Sequence, residues 1–301
     1  MRTGQGPLDR GRGSQNKEES RAGRAPGQPT PAAGRRSALK AQPLWLSELI
    51  GTALLVGVGC SLVILDFGAS SPVAVLLPDP AARRAVTGFL FGSVGALIAL
   101  SPVGMISGAH INPVVTLAFR LEGRMRGTVA LGYVIAQLAG GALGALPLLL
   151  WGGTGAGVAY GATVPGPAGA WVGLLGEAFA TFCLVAGLLL FVGHARLRRF
   201  TPALFPFLYA LLVWLEAPLS GASTNPARSL GPGLVAGDLR GWWIYWLGPL
   251  AGTLAAVGLR RTLPVTRSLE IRVAKVFHFH LDRHGIFTEK SAPSQRRASG
   301  Q

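Results

Sequence analysis

Long apolar runs broken by short polar segments dominate the chain. Residues 85–119 carry no Asp, Glu, Lys or Arg, and neither do 127–176. A helix crosses a bilayer core in about 20 apolar residues, so each run holds a span and something more. Six stretches read as membrane-spanning helices: 44–65, 84–102, 128–150, 170–192, 200–217 and 241–260. Segments 103–121 and 218–235 are also apolar, but each carries an Asn-Pro pair and reaches only about half a span. Irregular backbone survives at membrane depth only where protein buries it or where it lines a water-filled cavity. Both segments are therefore expected to be re-entrant, with half-helices at 112–121 and 225–234.

Three phrases recur in the same order. "ELIGTALLV" from Glu48 matches "EAFATFCLV" from Glu177 at an offset of 129. "SGAHINP" at 107–113 matches "SGASTNP" at 220–226 at 113, and "YVIAQLAG" at 133–140 matches "YWLGPLAG" at 245–252 at 112. Each half then holds three spans and one half-span. Three is odd, so the second half enters the membrane from the opposite side. The expected fold class is an all-α membrane protein, with six transmembrane helices plus two re-entrant half-helices in an inverted repeat. In such folds the functional site lies near the midplane where the repeats meet. The organisation is a disordered basic tail at 1–43, a first repeat at 44–150, an extracellular connecting loop at 151–169, a second repeat at 170–260 and a basic tail at 261–301.

Composition agrees. Only 14% of residues are charged, against about a quarter in a soluble domain. The net charge of +15 suggests nucleic acid until the charges are placed. Residues 1–43 and 260–301 hold nine Lys+Arg each, and the loops 120–126 and 196–199 hold three each. That is the positive-inside pattern of cytoplasmic segments beside an anionic bilayer. Both termini are expected in the cytoplasm of a cell (plasma or inner) membrane, with no nucleic-acid partner. The polar first tail reads as lacking a cleavable signal, so the first span is expected to serve as signal. Cys60 and Cys183 stand in apolar runs, and neither a disulfide framework nor a metal set is expected.

The Asn-Pro pairs carry the chemistry. Asn is a favoured N-cap and Pro fits the first helical turn, so Asn112-Pro113 and Asn225-Pro226 each start a short helix. The Gly residues before them let the chain run extended, with carbonyls that need partners. In a wet lumen the permeant supplies them, and Gly108, Ala109, His110, Gly221 and Ser223 are expected to line the path with their carbonyls. Two helix N-termini meeting at the midplane, with two Asn amides, favour acceptors and repel cations.

These motifs resemble the aquaporin (major intrinsic protein) family over about residues 44–260, on "SGAHINPVVT", "SGASTNPARSLGP" and "WIYWLGPLAG". The resemblance implies a passive channel for water, and for other small uncharged solutes such as glycerol, urea or an undissociated metalloid acid. It implies a homotetramer with one pore per protomer, no cofactor and no enzyme activity. It makes Asn112, Pro113, Val114, Asn225, Pro226 and Ala227 the central filter. Val114 departs from the usual Ala, and a slightly narrower junction with intact donors is expected. An outer constriction falls on Gly92, Val213, Ala222 and Arg228, which would be wide and mostly apolar apart from the arginine. A one-residue slip at Pro102 puts Phe91 in the first place and narrows the ring. Ser229, Gly233, Tyr245 and Trp246 resemble the water-channel pattern.

Glu48 and Glu177 sit at repeat-related places in spans one and four. Intramembrane carboxylates mark ion paths by default, but the family pattern gives them a structural role, accepting hydrogen bonds from the re-entrant backbone. His110 is expected to pack, and Glu216 to face a solvated vestibule. His278, His280 and His284 in the tail are a weak metal signal, and "RRAS" at 296–299 a weak phosphorylation signal. An ion-coupled secondary transporter would use the same architecture but needs titratable groups in its path. An enzyme would need a nucleophile–base pair or a metal cluster, and the sequence shows neither.

Overall fold

Caps and prolines set the helix ends more firmly than the ends of the apolar runs do. The computed structural model describes residues 31–69 and 71–267, and every regular element among them is helical. Among the described residues, eight longer helices build the fold: α1 (Pro31–Phe67), α2 (Pro80–Leu100), α3 (Pro113–Leu121), α4 (Gly127–Ala145), α5 (Ala170–Gly193), α6 (Thr201–Ser220), α7 (Pro226–Ala236) and α8 (Ile244–Thr262). α3 and α7 are the half-helices and the other six are the spans.

α2 begins four residues before the apolar run predicts. Asp79 caps it, its carboxylate accepting from Ala81 N (3.2 Å) and Ala82 N (3.0 Å), with Pro80 in the first turn. Those amides, Ala82's first, hold the Asp79 carboxyl below the usual range. α2 stops at Ser101 because Pro102 follows, and Ser101 Oγ accepts Gly104 N (3.3 Å) to start a separate turn, Pro102–Ser107. α1 departs from expectation: it begins at Pro31, inside the tail expected to be disordered. Ala32, Ala33, Ala38 and Leu39 are strong helix formers, and Pro43 is carried inside the helix. The tail histidines and "RRAS" lie outside the described residues.

Among the described residues, five stretches are long and apolar enough to cross a membrane: Gln42–Phe67, Pro80–Leu100, Gly127–Ala156, Ala170–Gly193 and Arg198–Ser220. α8 has a comparable length, 19 residues, but its last turn carries Arg260 and Arg261. It packs along α5 and completes the six. Apolar side chains on the outer faces, such as Leu97, Leu131, Phe179 and Phe207, are exposed and suit contact with lipid.

The inverted repeat is visible in the helix contacts. A Cβ on Gly140 would lie 2.3 Å from Leu49 O, and one on Gly252 would lie 2.2 Å from Ala178 O. These pairs correspond between the halves, at the sequence offsets of 112 and 129. In each, a glycine lets two spans close to backbone contact, where small residues drive helix association in membranes. We predict that Gly252→Val forces α5 and α8 apart and costs about 3 kcal/mol. A lower thermal midpoint in detergent is the readout, and an unchanged midpoint would count against this contact.

The connecting segment after α4 is more than a spacer. It folds as a 3-10 helix (Leu146–Trp151), a turn of α-helix (Gly152–Ala156) and a second 3-10 turn (Ala159–Gly161). It then runs down onto the second re-entrant loop, where Gly166 N donates to Leu219 O at 2.8 Å.

Candidate conduction site

The two re-entrant loops are bent alike. Gly108 (φ 83), Ala109 (φ 49) and Ile111 (φ 43) lie at positive φ, as do Gly221 (φ 90), Ala222 (φ 50) and Thr224 (φ 53). These are the same positions at the offset of 113. Non-glycine residues are strained there, and the conformation persists only if the surroundings enforce it.

Two buried carboxylates enforce it. Glu48 accepts from His110 N (2.9 Å), Ile111 N (2.6 Å), Ser107 Oγ (2.6 Å) and Gln137 Nε2 (2.7 Å). Glu177 accepts from Ser223 N (2.7 Å), Thr224 N (2.8 Å) and Ser220 Oγ (2.7 Å). A hydroxyl fixes the start of each loop: Tyr133 Oη donates to Ser107 O (2.8 Å) and Tyr245 Oη to Ser220 O (2.7 Å). Tyr245 thus acts through the loop backbone.

The bent loops deliver Asn112 and Asn225 to one place. Each caps its helix: Asn112 Oδ1 accepts Val114 N (3.0 Å), and Asn225 Oδ1 accepts Ala227 N (3.1 Å). Each then reaches across to the other repeat. Asn112 Nδ2 donates to Thr224 O, and Asn225 Nδ2 to Ile111 O, both at 2.9 Å. An amide carries two N–H groups, so this exchange leaves one on each Asn for another acceptor. The first turns of α3 and α7 add their positive ends behind the pair. Pro113 and Pro226 open these helices, and Val114 and Ala227 are buried beside them.

A cavity meets both asparagines. Its wall includes Phe91, Ile111, Val115, Phe205 and Tyr209. Its volume of about 30 Å³ is enough to admit water. Tyr209 was not legible as a site residue. Its ring stacks on Phe91 with centroids 6.2 Å apart, and its hydroxyl lies 2.9 Å from Thr224 Oγ1. A tyrosine in a long apolar span was the available signal.

Arg228 is buried. Its Nη1 donates to Gly161 O at 2.7 Å, and its guanidinium carbon lies 5.6 Å from the Phe91 ring centre. The side chain that α2 sets against Arg228 is therefore Phe91. Gly92 lines the same cavity and also serves helix packing. A Cβ there would lie 2.5 Å from Phe205 O, so the glycine lets α2 close on α6. Val213 meets Gly88 of α2, and Ala222 belongs to the bent loop, its N–H donating to Ser220 Oγ (3.3 Å). Gly161, from the connecting segment, carried no sequence signal. Nearby hydroxyls tie that segment to α7: Thr163 Oγ1 lies 2.7 Å from Ser229 Oγ, and Ser229 Oγ lies 2.5 Å from Ser223 Oγ.

His110 packs as expected of its side chain. The ring stacks on Phe119 (4.6 Å) and its Nδ1 lies 3.1 Å from Thr116 Oγ1. Glu216 overturns its reading. It is 3% exposed, not solvated, and its carboxyl contacts Ser220 Oγ at 2.5 Å. α6 turns it toward α5, where Gly176 leaves the space for it.

Comparison with known proteins gives the family and the fold. The major intrinsic protein family model matches residues 36–259. Aquaporin NIP1-2 of Oryza sativa subsp. japonica is 35% identical over 70% of this chain and 68% of its own. Aquaporin TIP2-3 of Arabidopsis thaliana is 34% identical over 72% and 84%. The aquaglyceroporin structure from Plasmodium falciparum superposes with a TM-score of 0.62 at 18% identity, covering 75% of this chain and 99% of that one, and it speaks to the fold. The chain belongs to the major intrinsic protein family, as a multi-pass passive membrane channel for water and small uncharged solutes and not an enzyme.

Proposed function

We propose that the path runs between the half-helices, past a central filter of Asn112, Pro113, Val114, Asn225, Pro226 and Ala227, with water as the main permeant. Its outer ring is Phe91, Val213, Ala222 and Arg228, the register with Phe91 replacing Gly92. The carbonyls of Gly108, Ala109, His110, Gly221 and Ser223 form the rest of the wall. Glu48 and Glu177 act by holding the loops.

One observation carries this reading. Asparagine amides from opposite repeats reach a single cavity, and each keeps one N–H after binding the other loop. A water in single file accepts from these donors while two helix dipoles and Arg228 repel cations. With Phe91 and Tyr209 in the wall, glycerol and urea face a tighter path than a ring with Gly92 would offer.

Stopped-flow light scattering on proteoliposomes tests it. Osmotic water permeability is expected well above that of empty liposomes, with glycerol and urea flux much lower. Flux of glycerol or urea matching that of water removes the water-first reading. Arg228→Val is expected to raise proton leak by about tenfold, about 1.4 kcal/mol off the barrier, read by an internal pH dye. An unchanged leak places the barrier wholly at the asparagines.

We also propose a homotetramer in the plasma or inner membrane with both termini cytoplasmic. The support is the family resemblance and the placement of basic residues at both ends and in alternate loops.

A further inference from the structure

The two halves differ at a buried point beside the loop serine. In the first, Ser47 Oγ shares its proton between Val103 O (2.5 Å) and Ser107 Oγ (2.9 Å), and Ser107 Oγ donates to Glu48 (2.6 Å). In the second half, Ser107 becomes Ser220, which donates to Glu177 Oε1 (2.7 Å). Ser47 becomes Gly176 at the offset of 129, and Val103 becomes Glu216 at the offset of 113. The Glu216 carboxyl fills the space that the missing hydroxyl leaves. A Cβ on Gly176 would lie 2.5 Å from Glu216 Oε1.

Counting protons decides the state of this cluster. Ser220 Oγ lies within hydrogen-bond distance of two carboxyl groups, at 2.5 Å from Glu216 Oε1 and 2.7 Å from Glu177 Oε1. A hydroxyl has one proton to give. One of the two contacts must therefore be made by a carboxylic acid donating to Ser220. Glu177 accepts two backbone N–H groups, which favour its charged form. Glu216 accepts neither of these two, the backbone N–H beside it being that of Ala222, and its Oε2 is buried without a hydrogen-bond partner, a costly place for a charged oxygen. The titratable groups facing it are Glu177 from α5 and Tyr245 from α8, while Arg228 from α7 acts on Glu177.

We infer that Glu216 is a protonated positioning residue, whose acid proton holds Ser220 and through it the loop that presents Asn225. It takes the place of the Ser47 hydroxyl, with the difference that its donor can be lost. Deprotonation leaves two carboxylates sharing one hydroxyl, and the second loop loosens while the first does not. Because the neutral form is the one that fits, conduction holds at low and neutral pH and falls as pH rises. This deepens the channel reading and rests on it.

The test compares wild type with Glu216→Gln, a permanently neutral donor, and with the double variant Gly176→Ser, Glu216→Val, which copies the first half. Water permeability of wild-type proteoliposomes is expected to fall by about threefold or more between about pH 6 and about pH 10. Both variants are expected to show a ratio near one over the same interval. The double variant serves if glutamine does not fold. Infrared spectroscopy reads the proton without any flux: the protonated-carboxyl band of wild type at neutral pH should vanish in Glu216→Gln. A flat wild-type profile, a variant that keeps the wild-type fall, or a band unchanged by Glu216→Gln overturns the inference. Absence of water flux in every protein, with the band present and lost as stated, sinks the channel reading instead.

Discussion

Glu177→Gln is expected to lower water permeability at least about tenfold and to drop the melting temperature by several degrees. The reason is local. Both carboxylate oxygens of Glu177 accept: Oε1 from Ser220 Oγ and Ser223 N, Oε2 from Thr224 N. Glutamine keeps one oxygen and turns an NH₂ group toward a donor. At least one backbone N–H is then left without an acceptor at membrane depth, costing about 1–3 kcal/mol. The charge-assisted bonds that remain become neutral and weaker. These bonds hold the loop with Ala222 and Thr224 at their positive φ values, and relaxation of either moves Asn225. Glu177→Leu removes every acceptor and is expected to give no folded protein. Size-exclusion profiles, circular-dichroism melts and stopped-flow flux read these outcomes together. Wild-type melting and flux in Glu177→Gln would show that the loop holds its shape without the carboxylate. The opposite tolerance is expected at Glu216, where glutamine supplies the donor that the site uses.

The second large effect is on size selection. Tyr209→Ala is expected to raise glycerol and urea flux about tenfold, about 1.4 kcal/mol off their barrier, while water changes much less. The Tyr209 ring lines the cavity that both asparagines meet and stacks on Phe91, which faces Arg228. Removing it widens the path where the wall is otherwise aromatic or aliphatic. Tyr209→Phe separates size from hydrogen bonding. It keeps the ring, loses the contact to Thr224 Oγ1, and should keep glycerol out. Equal solute flux in wild type and Tyr209→Ala would move the size limit elsewhere, to Phe91 and Arg228. Swapping Phe91 for alanine is the matching measurement.

The architecture was legible because membrane depth leaves the backbone few options. Charge-free runs longer than one span, two Asn-Pro pairs and three repeated phrases imply inverted halves with two half-helices. The caps at Asn112 and Asn225 depend only on neighbouring residues, so local sequence sufficed. Other features escaped for physical reasons. Asp79 and Pro80 start α2 before the apolar run does, because a cap is a polar signal. Gly161 reaches Arg228 through a carbonyl, which has no side-chain signature. Phe91 and Gly92 differ by one helical position, about 100° of rotation.

By itself the sequence determined the membrane setting, the inverted repeat, the two asparagine-capped half-helices and the family resemblance, since each rests on residue pattern or contacts between near neighbours. Only the tertiary structure decided what meets across the halves. It set Asn112 on the carbonyl of Thr224 and Asn225 on that of Ile111. It set the Phe91 ring beside Arg228 with Gly92 next to it in the cavity wall, brought Tyr209 into that wall, and buried Glu216 against Ser220 where a solvated vestibule was expected. Those contacts join residues up to 137 positions apart, and their partners are chosen by how helices close on glycines, which no local pattern encodes.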